Sequence, residues 1–293
     1  MKAYLFSGQG SQFVGMGKDL YDKSFLAKRL FQLSNKILNF SITSVMFEDK
    51  KNILKYTRYT QIAIYIYSVI KTKILNNFNP DMVAGHSLGE FSALSSVGVL
   101  SFEDGLRLVK KRADIMQEIC ENTDGGMAAI FGLEDKIVES ICKEKNGNVV
   151  PSNYNAPKQI VISGELKFLR KICSHLKKIG TTKIIYLPVH GAFHSPIMEP
   201  AKKKLENIIK NITFKKPKCP IYQNVTGNSV TNCGEIKRNI IKHITSPVKW
   251  KQTIKNMISV GVSSFEEISP KSILKGMVKK ILIEFNKKKC KIM

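Results

Sequence analysis

A serine between two glycines is the residue of this sequence best suited to act as a nucleophile. Ser87 lies in Gly85-His86-Ser87-Leu88-Gly89, the Gly-x-Ser-x-Gly spacing in which a sharp strand-to-helix turn exposes a serine hydroxyl. The apolar residues 82–84 predict a short buried strand before the serine, and the residues after Gly89 are typical of a helix. The first N–H groups of that helix would lie near the serine oxygen. The pattern indicates acyl transfer, although it also fits an ordinary glycine-rich turn.

An acyl-transfer serine needs a general base, and one later turn contains two histidines. His190 and His194 lie in Val189-His190-Gly191-Ala192-Phe193-His194-Ser195-Pro196, just before a predicted helix. A neutral imidazole can take the proton of a serine hydroxyl and later return it to a leaving group. Residue chemistry alone does not choose between the two histidines, and either can equally be structural.

One arginine lies on the apolar face of a predicted helix. The helix that begins near Ser101 carries an apolar stripe: Leu106, Val109, Ala113 and Met116. At 100° per residue Arg112 falls inside this stripe, and a buried guanidinium needs an anionic partner. That partner is either one of the chain's own carboxylates or the carboxylate of a ligand, which a guanidinium can hold bidentately. The helical phase leaves both interpretations open.

The elements around these residues alternate between strands and helices. Strands predicted at 4–6, 82–84, 220–223 and 262–268, with helices at 20–37 and 60–76, indicate a parallel sheet covered on both faces. The stripe Leu26, Leu30, Leu33 and Ile37 predicts the buried face of the first of these helices. Residues 125–194 follow the order βαββαβ, the split βαβ arrangement. We predict an α/β fold with a large α/β-hydrolase-like lobe containing the parallel sheet (1–124 and 195–293), and an inserted small ferredoxin-like lobe (125–194).

Composition limits the class of protein. The 293 residues can bury a large core, and 47 Lys and Arg against 23 Asp and Glu give a net charge of +24. Basic residues are spread along the whole chain without a recognised nucleic-acid-binding motif, so we expect no nucleic acid partner. We see no signal peptide and no run of the ~18 apolar residues needed to span a membrane. We expect a cytoplasmic, monomeric protein with no membrane association, and the stroma of an organelle is equally compatible.

The cysteines give no sign of a metal or a redox centre. The six cysteines are widely scattered and contain no C-x-x-C pair. Free thiols are therefore expected. We predict neither a metal nor a cofactor.

Taken together, several segments resemble one family of acyltransferases. They are Gly8-Gln9-Gly10-Ser11-Gln12, Thr60-Gln61, Gly85-His86-Ser87-Leu88-Gly89-Glu90, Arg112-x-x-x-Met116-Gln117, Asn153-Tyr154-Asn155-Ala156-Pro157, Gly191-Ala192-Phe193-His194-Ser195-Pro196 and Pro247-Val248-x-Trp250. In this order, over nearly the whole chain, they resemble the malonyl-CoA:acyl carrier protein transacylases, which supply malonyl units for fatty acid synthesis. The partners that this resemblance implies are malonyl-CoA, CoA and acyl carrier protein.

The resemblance also implies a role for each matching residue. Ser87 would be the nucleophile of a ping-pong reaction and His194 its base, forming a Ser-His dyad. The backbone N–H groups of Gln9 and Leu88 would form the oxyanion hole. Arg112 would bind the free carboxylate of malonate, and Phe193 would fill the space that an α-methyl group needs.

The sequence departs from the family pattern at two histidines. His243 stands where the family has a glutamine whose backbone carbonyl orients the catalytic histidine, and a main-chain acceptor survives such a change. His190 replaces a small residue near the site entrance.

Two other functions are alternatives to the transacylase. One is a serine esterase, which would need an acidic residue between Ser87 and His194. The other is a non-catalytic module that binds nucleic acid through its basic surface.

Overall fold

The computed structural model describes residues 1–144, 148–189 and 191–290. Its strands are β1 (Lys2–Phe6), β2 (Met82–Gly85), β3 (Gly125–Phe131), β4 (Val149–Ala156), β5 (Gln159–Glu165), β6 (Lys183–Tyr186), β7 (Ile221–Tyr222), β8 (Ser229–Val230) and β9 (Ser264–Ile268). Its helices are α1 (Lys18–Lys23), α2 (Phe25–Leu38), α3 (Ile42–Phe47), α4 (Thr57–Ile74), α5 (Gly89–Ser96), α6 (Phe102–Glu121), α7 (Asp135–Glu144), α8 (Leu166–Lys178), α9 (Glu199–Lys210), α10 (Cys233–Lys242), α11 (Trp250–Ser259) and α12 (Leu274–Cys290).

The larger sheet has the strand order β8-β7-β2-β1-β9. The four strands β9, β1, β2 and β7 run parallel to one another, and β8 pairs antiparallel with β7. Alternate residues of β1 enter different cores: Tyr4 and Phe6 join one cluster, and Ala3 and Leu5 join another with Trp250. Because both faces are covered, β1 and β2 consist mostly of apolar residues rather than alternating polar and apolar ones.

The smaller sheet is antiparallel, with the order β4-β5-β3-β6. Helices α7 and α8 cover one face, where Ile130, Ile160 and Leu169 share a core. The opposite face carries Met127, Ala129 and Val161, which pack with residues of the main core. Within the described segments this confirms an α/β fold with a parallel-containing sheet and a separate antiparallel one. The division into two lobes at residues 124 and 195 stays a prediction.

Backbone hydrogen bonds join the small sheet to the segment of the chain that precedes α11. The Tyr154 N–H donates to the Val248 carbonyl at 2.9 Å, and the Val248 N–H donates to the Ser152 carbonyl at 2.8 Å. Strand β4 thus fixes the segment that precedes α11.

The buried face of α2 agrees only in part with the predicted stripe: Leu30, Leu33 and Ile37 are partly buried against the main core, but the most deeply buried residues lie one position further along. Ala27, Phe31, Ser34 and Leu38 are buried, whereas Leu26 is 46% exposed. The stripe is shifted by one residue because Phe31 packs with Tyr21 and Phe47, an aromatic cluster that helical periodicity alone cannot reveal.

Among the described helices, none is both long and apolar enough to cross a bilayer.

Candidate active site

Ser87 occupies a tight turn between strand β2 and helix α5. Its φ of 51° lies in the left-handed region, which a non-glycine residue adopts only when its surroundings hold it there. The glycines on either side are required by space: a Cβ on Gly85 would lie 1.9 Å from the Gly89 carbonyl carbon, and one on Gly89 would lie 2.0 Å from the Phe6 oxygen. The turn is therefore a strained elbow that presents the serine hydroxyl, rather than an ordinary glycine-rich turn.

His194 faces this hydroxyl from the segment before α9. Its Nε2 lies 2.8 Å from the Ser87 Oγ, and its Nδ1 lies 3.0 Å from the His243 carbonyl oxygen and 3.2 Å from that of Ser246. Because carbonyl oxygens only accept, Nδ1 carries the ring proton and Nε2 is left to accept the proton of Ser87. Burial, reinforced by the charge of Arg112, lowers the pKa of His194 to about 3, so the imidazole is neutral and ready to act as a base.

Arg112 is buried in the same region with an incomplete set of partners. It is 1% exposed, its Nη1 donates to the Gln61 Oε1 at 2.5 Å, and its guanidinium lies 5.2 Å from the Phe91 ring centroid. Its Nε and Nη2 have no hydrogen-bond partner, and no described carboxylate forms an ion pair with it. Burial lowers the pKa of Arg112 to about 10, opposed by the charge of Glu90, so the group remains a cation at neutral pH.

These side chains line one cavity of about 400 Å³ between the two sheets. The sequence-predicted site residues that the structure brings to its wall are Gln9, Ser87, Leu88, Arg112, Phe193 and His194. Among the described residues, the backbone N–H groups of Gln9 and Leu88 donate no hydrogen bond to the protein, which leaves them available to an oxygen in the cavity. The face of the small sheet opposite α7 and α8 contributes Met127, Ala129 and Val161 to the cavity wall. The Ser87 hydroxyl therefore faces a largely apolar chamber whose wall also carries one buried cation, Arg112.

Comparison with known proteins identifies this arrangement. Residues 3–293 match the family model described as an acyl transferase domain. A malonyl CoA-acyl carrier protein transacylase of Bacillus subtilis (strain 168) is 38% identical over 287 residues, which cover 95% of this chain and 90% of that protein. The chain belongs to the malonyl-CoA:acyl carrier protein transacylase family.

Solved structures of the family have the same fold. An acyl carrier protein S-malonyltransferase from Vibrio cholerae superimposes with a TM-score of 0.92 at 32% identity, covering 96% of this chain and 94% of that one. A type II polyketide synthase malonyl-transacylase, solved in complex with its acyl carrier protein, gives a TM-score of 0.93 at 31% identity, covering 96% and 93% of the two chains. The match extends over both sheets.

The two histidines that depart from the family pattern have different outcomes. His190 lies outside the described residues. His243 provides its backbone oxygen to His194, as expected from the resemblance. Its ring is fully buried 5.0 Å from the His194 ring, and neither ring nitrogen has a partner. Burial lowers the pKa of His243 well below its ordinary value, so this second imidazole adds no positive charge beside the base.

Sequence reasoning missed the residues that hold the elbow from behind. The Asn224 side chain contacts Ser87 and Gly85, and Glu90 contacts Asn224. Glu90 is the last residue of the segment that contains the serine and has no assigned role there, and Asn224 lies in a short turn beyond β7. The signal that could have drawn attention to Glu90 is that it is the only charged residue of α5, in a helix with no basic residue to pair with it.

Proposed function

We propose that this chain transfers the malonyl group of malonyl-CoA to the phosphopantetheine thiol of acyl carrier protein through a malonyl-Ser87 intermediate. The observation that carries the proposal is the pairing of Ser87 and His194 in one cavity with a buried guanidinium that has two free donors. A chamber with one fixed cation favours an acyl group that ends in a carboxylate, because a neutral acyl group would leave that cation unpartnered.

The first half-reaction acylates the serine. His194 Nε2 takes the Ser87 proton as the Oγ attacks the thioester carbonyl, and the N–H groups of Gln9 and Leu88 stabilise the oxyanion. A donor of this kind contributes about 3 kcal/mol to the transition state. When the C–S bond breaks, His194 returns its proton to the sulfur, and CoA leaves as the thiol.

The second half-reaction repeats these steps with the carrier protein. The phosphopantetheine thiol loses its proton to His194 and attacks the malonyl ester. The bond to Ser87 Oγ then breaks, and the serine recovers the proton from His194. The Arg112 guanidinium binds the malonyl carboxylate throughout, while Phe193, which is 6% exposed, limits the space beside the α-carbon.

The basic surface fits the two anionic substrates. Lys55 is exposed and lines the cavity, and Lys280 donates to the cavity residue Gln159 at 3.1 Å. Cations at the entrance raise the rate of encounter with phosphates and acidic proteins, and salt screens them.

We also propose the finer fold assignment, a hydrolase-like lobe with an inserted ferredoxin-like lobe at 125–194. A monomeric state in the cytoplasm stays a prediction.

The test is intact-protein mass spectrometry after mixing with malonyl-CoA, with acetyl-CoA and methylmalonyl-CoA in parallel. We expect a mass increase of one malonyl group that is lost in Ser87→Ala and kept in Ser96→Ala, which alters the last residue of α5 outside the cavity. Addition of phosphopantetheinylated acyl carrier protein should discharge the adduct onto that protein. The absence of an adduct from every thioester would refute the proposal, and discharge to water alone would favour the esterase.

A further inference from the structure

One amide side chain binds the strained elbow on both sides of the serine. The Asn224 Oδ1 accepts the Ser87 N–H at 2.8 Å, and its Nδ2 donates to the Gly85 carbonyl at 2.6 Å. The two hydrogen bonds bracket the nucleophile within the tightest part of the turn. Because Asn224 is itself 0% exposed, its side chain makes these two hydrogen bonds away from bulk water.

A buried carboxylate fixes Asn224 from the other side. The Glu90 Oε2 accepts the Asn224 N–H at 2.8 Å, and its Oε1 accepts the Gln223 Nε2 at 2.9 Å. Asn239 extends this network by donating its Nδ2 to the Gln223 Oε1 at 2.9 Å. Both oxygens of Glu90 act as acceptors, which a carboxylate satisfies with no rearrangement. Glu90 belongs to α5, so the helix that follows the serine is tied to the turn that orients it.

We infer that Asn224 is the positioning residue for Ser87, and that Glu90 anchors it. This inference rests on the proposed role of Ser87 as the nucleophile. The amide fixes the peptide planes on both sides of the serine. It therefore sets where the Oγ meets His194 and where the Leu88 N–H points in the cavity. A displacement of about 1 Å at such a site lowers a rate about 100-fold.

Two substitutions at position 224 separate positioning from packing. Asn224→Ala removes both hydrogen bonds. Asn224→Asp keeps the shape, but only its protonated carboxyl can donate to the Gly85 oxygen while accepting the Ser87 N–H. The ionised form would place two acceptors against each other. Burial beside Glu90 raises the pKa of an introduced carboxyl, so the aspartate variant should work at low pH and fail as the pH rises.

The measurement is the single-turnover rate of acylation by saturating malonyl-CoA, divided by the wild-type rate at each pH from 5.5 to 9. Asn224→Ala should be slower by about 100-fold at every pH. Asn224→Asp should approach the wild-type rate at the acidic end and fall toward the alanine level at the basic end. The half-saturating concentration should stay unchanged, because Arg112 is untouched. Asn122→Asp serves as the matched control, since it alters an exposed amide that donates to the Glu118 carbonyl at 2.8 Å.

Circular dichroism at each pH restricts the comparison to folded protein. If Asn224→Ala does not fold, the aspartate variant is sufficient alone, since its protonated form can make the same two bonds. The inference is overturned if the acylation rate of Asn224→Asp, divided by the wild-type rate, is the same at every pH, whatever its value. It is also overturned if Asn224→Ala is acylated at a rate within threefold of the wild-type rate. Failure of the wild type itself to acylate would instead refute the proposed function.

Discussion

Replacing Arg112 with methionine should change which acyl group the cavity accepts while leaving the Ser87–His194 pair intact. Methionine retains an unbranched chain of similar length but has no charge and no N–H groups. In the wild type, the Nε and Nη2 atoms have no partner and the guanidinium is 1% exposed. A carboxylate that enters the cavity can therefore form charged hydrogen bonds that water does not compete for.

The size of the effect follows from the burial. Removing one partner of a buried ion pair costs about 3–5 kcal/mol, which corresponds to about 10²- to 10⁴-fold in kcat/KM for malonyl-CoA. Acetyl-CoA should react at least as well as with the wild type, since its methyl group no longer faces an unpartnered cation. Two effects on the stability of the free protein oppose each other: the substitution removes two buried nitrogen atoms that lack partners, but it also removes the hydrogen bond from Nη1 to the buried Gln61. The change in melting temperature should therefore be small compared with the change in kcat/KM.

The assay is kcat/KM for acylation with each thioester, followed by intact mass. Arg107→Met is the matched control: it lies on the same helix, and its ion pair with Asp104 is 3.7 Å long and exposed, where such pairs contribute little. Arg112→Lys should be intermediate, since it keeps the charge but loses the fork. A ratio of malonyl to acetyl reactivity in Arg112→Met within tenfold of the wild-type ratio would contradict the assignment of this arginine to the substrate carboxylate.

Four further outcomes follow from individual contacts. The pKa of His194 is lowered to about 3, so its neutral form persists throughout pH 5 to 8. The variant Glu90→Gln removes the nearby carboxyl, which has a pKa of about 7. In this variant the acylation rate should not change between pH 5 and pH 8. A rate that rises with a midpoint near pH 6.5 would show that His194 titrates as an ordinary histidine. His243→Gln should change the acylation rate by no more than about threefold, since His194 is oriented by a backbone oxygen; a larger loss would give the imidazole a role of its own. Phe193→Ala should open the cavity to methylmalonyl-CoA, detected as a new adduct, and continued exclusion of that thioester would place the restriction elsewhere. Glu267→Ala should lower the free energy of unfolding by about 2–3 kcal/mol in urea titrations, because its carboxylate accepts the Ile273 and Leu274 N–H groups at 2.8 and 3.0 Å; an unchanged midpoint would show that water replaces these bonds.

The chemistry-bearing residues could be found from the sequence because their patterns are local. The elbow glycines surround Ser87 within five residues, and helical phase alone placed Arg112 on the buried side of α6, where the structure has it. The position of Arg112 along the helix could not predict the partner of its guanidinium, because that partner, Gln61, lies on another helix. The choice between His190 and His194 needed the family resemblance for the same reason.

The supports of the site could not be predicted, since they are pairings between distant segments. Asn224 meets Ser87 from 137 residues away, and nothing in the turn after β7 indicates which backbone groups it will bind. The one-residue shift of the α2 stripe has a similar origin: Leu30 and Phe31 are both apolar neighbours, and Phe31 is the one that packs against Phe47 of another helix. Periodicity describes an element, whereas tertiary contacts choose its buried face.

The strain in the site explains why these distant supports matter. Both Ser87 and His194 have positive φ values, 51° and 58°, and each such residue costs about 1–3 kcal/mol unless its surroundings hold it. Asn224 holds the serine, and the carbonyl groups of His243 and Ser246 hold the histidine. All three supports lie between residues 224 and 246, and Val248 just beyond them is hydrogen-bonded to β4. The small sheet therefore does more than cover the cavity: it fixes the segment that sets the distance between the serine and its base.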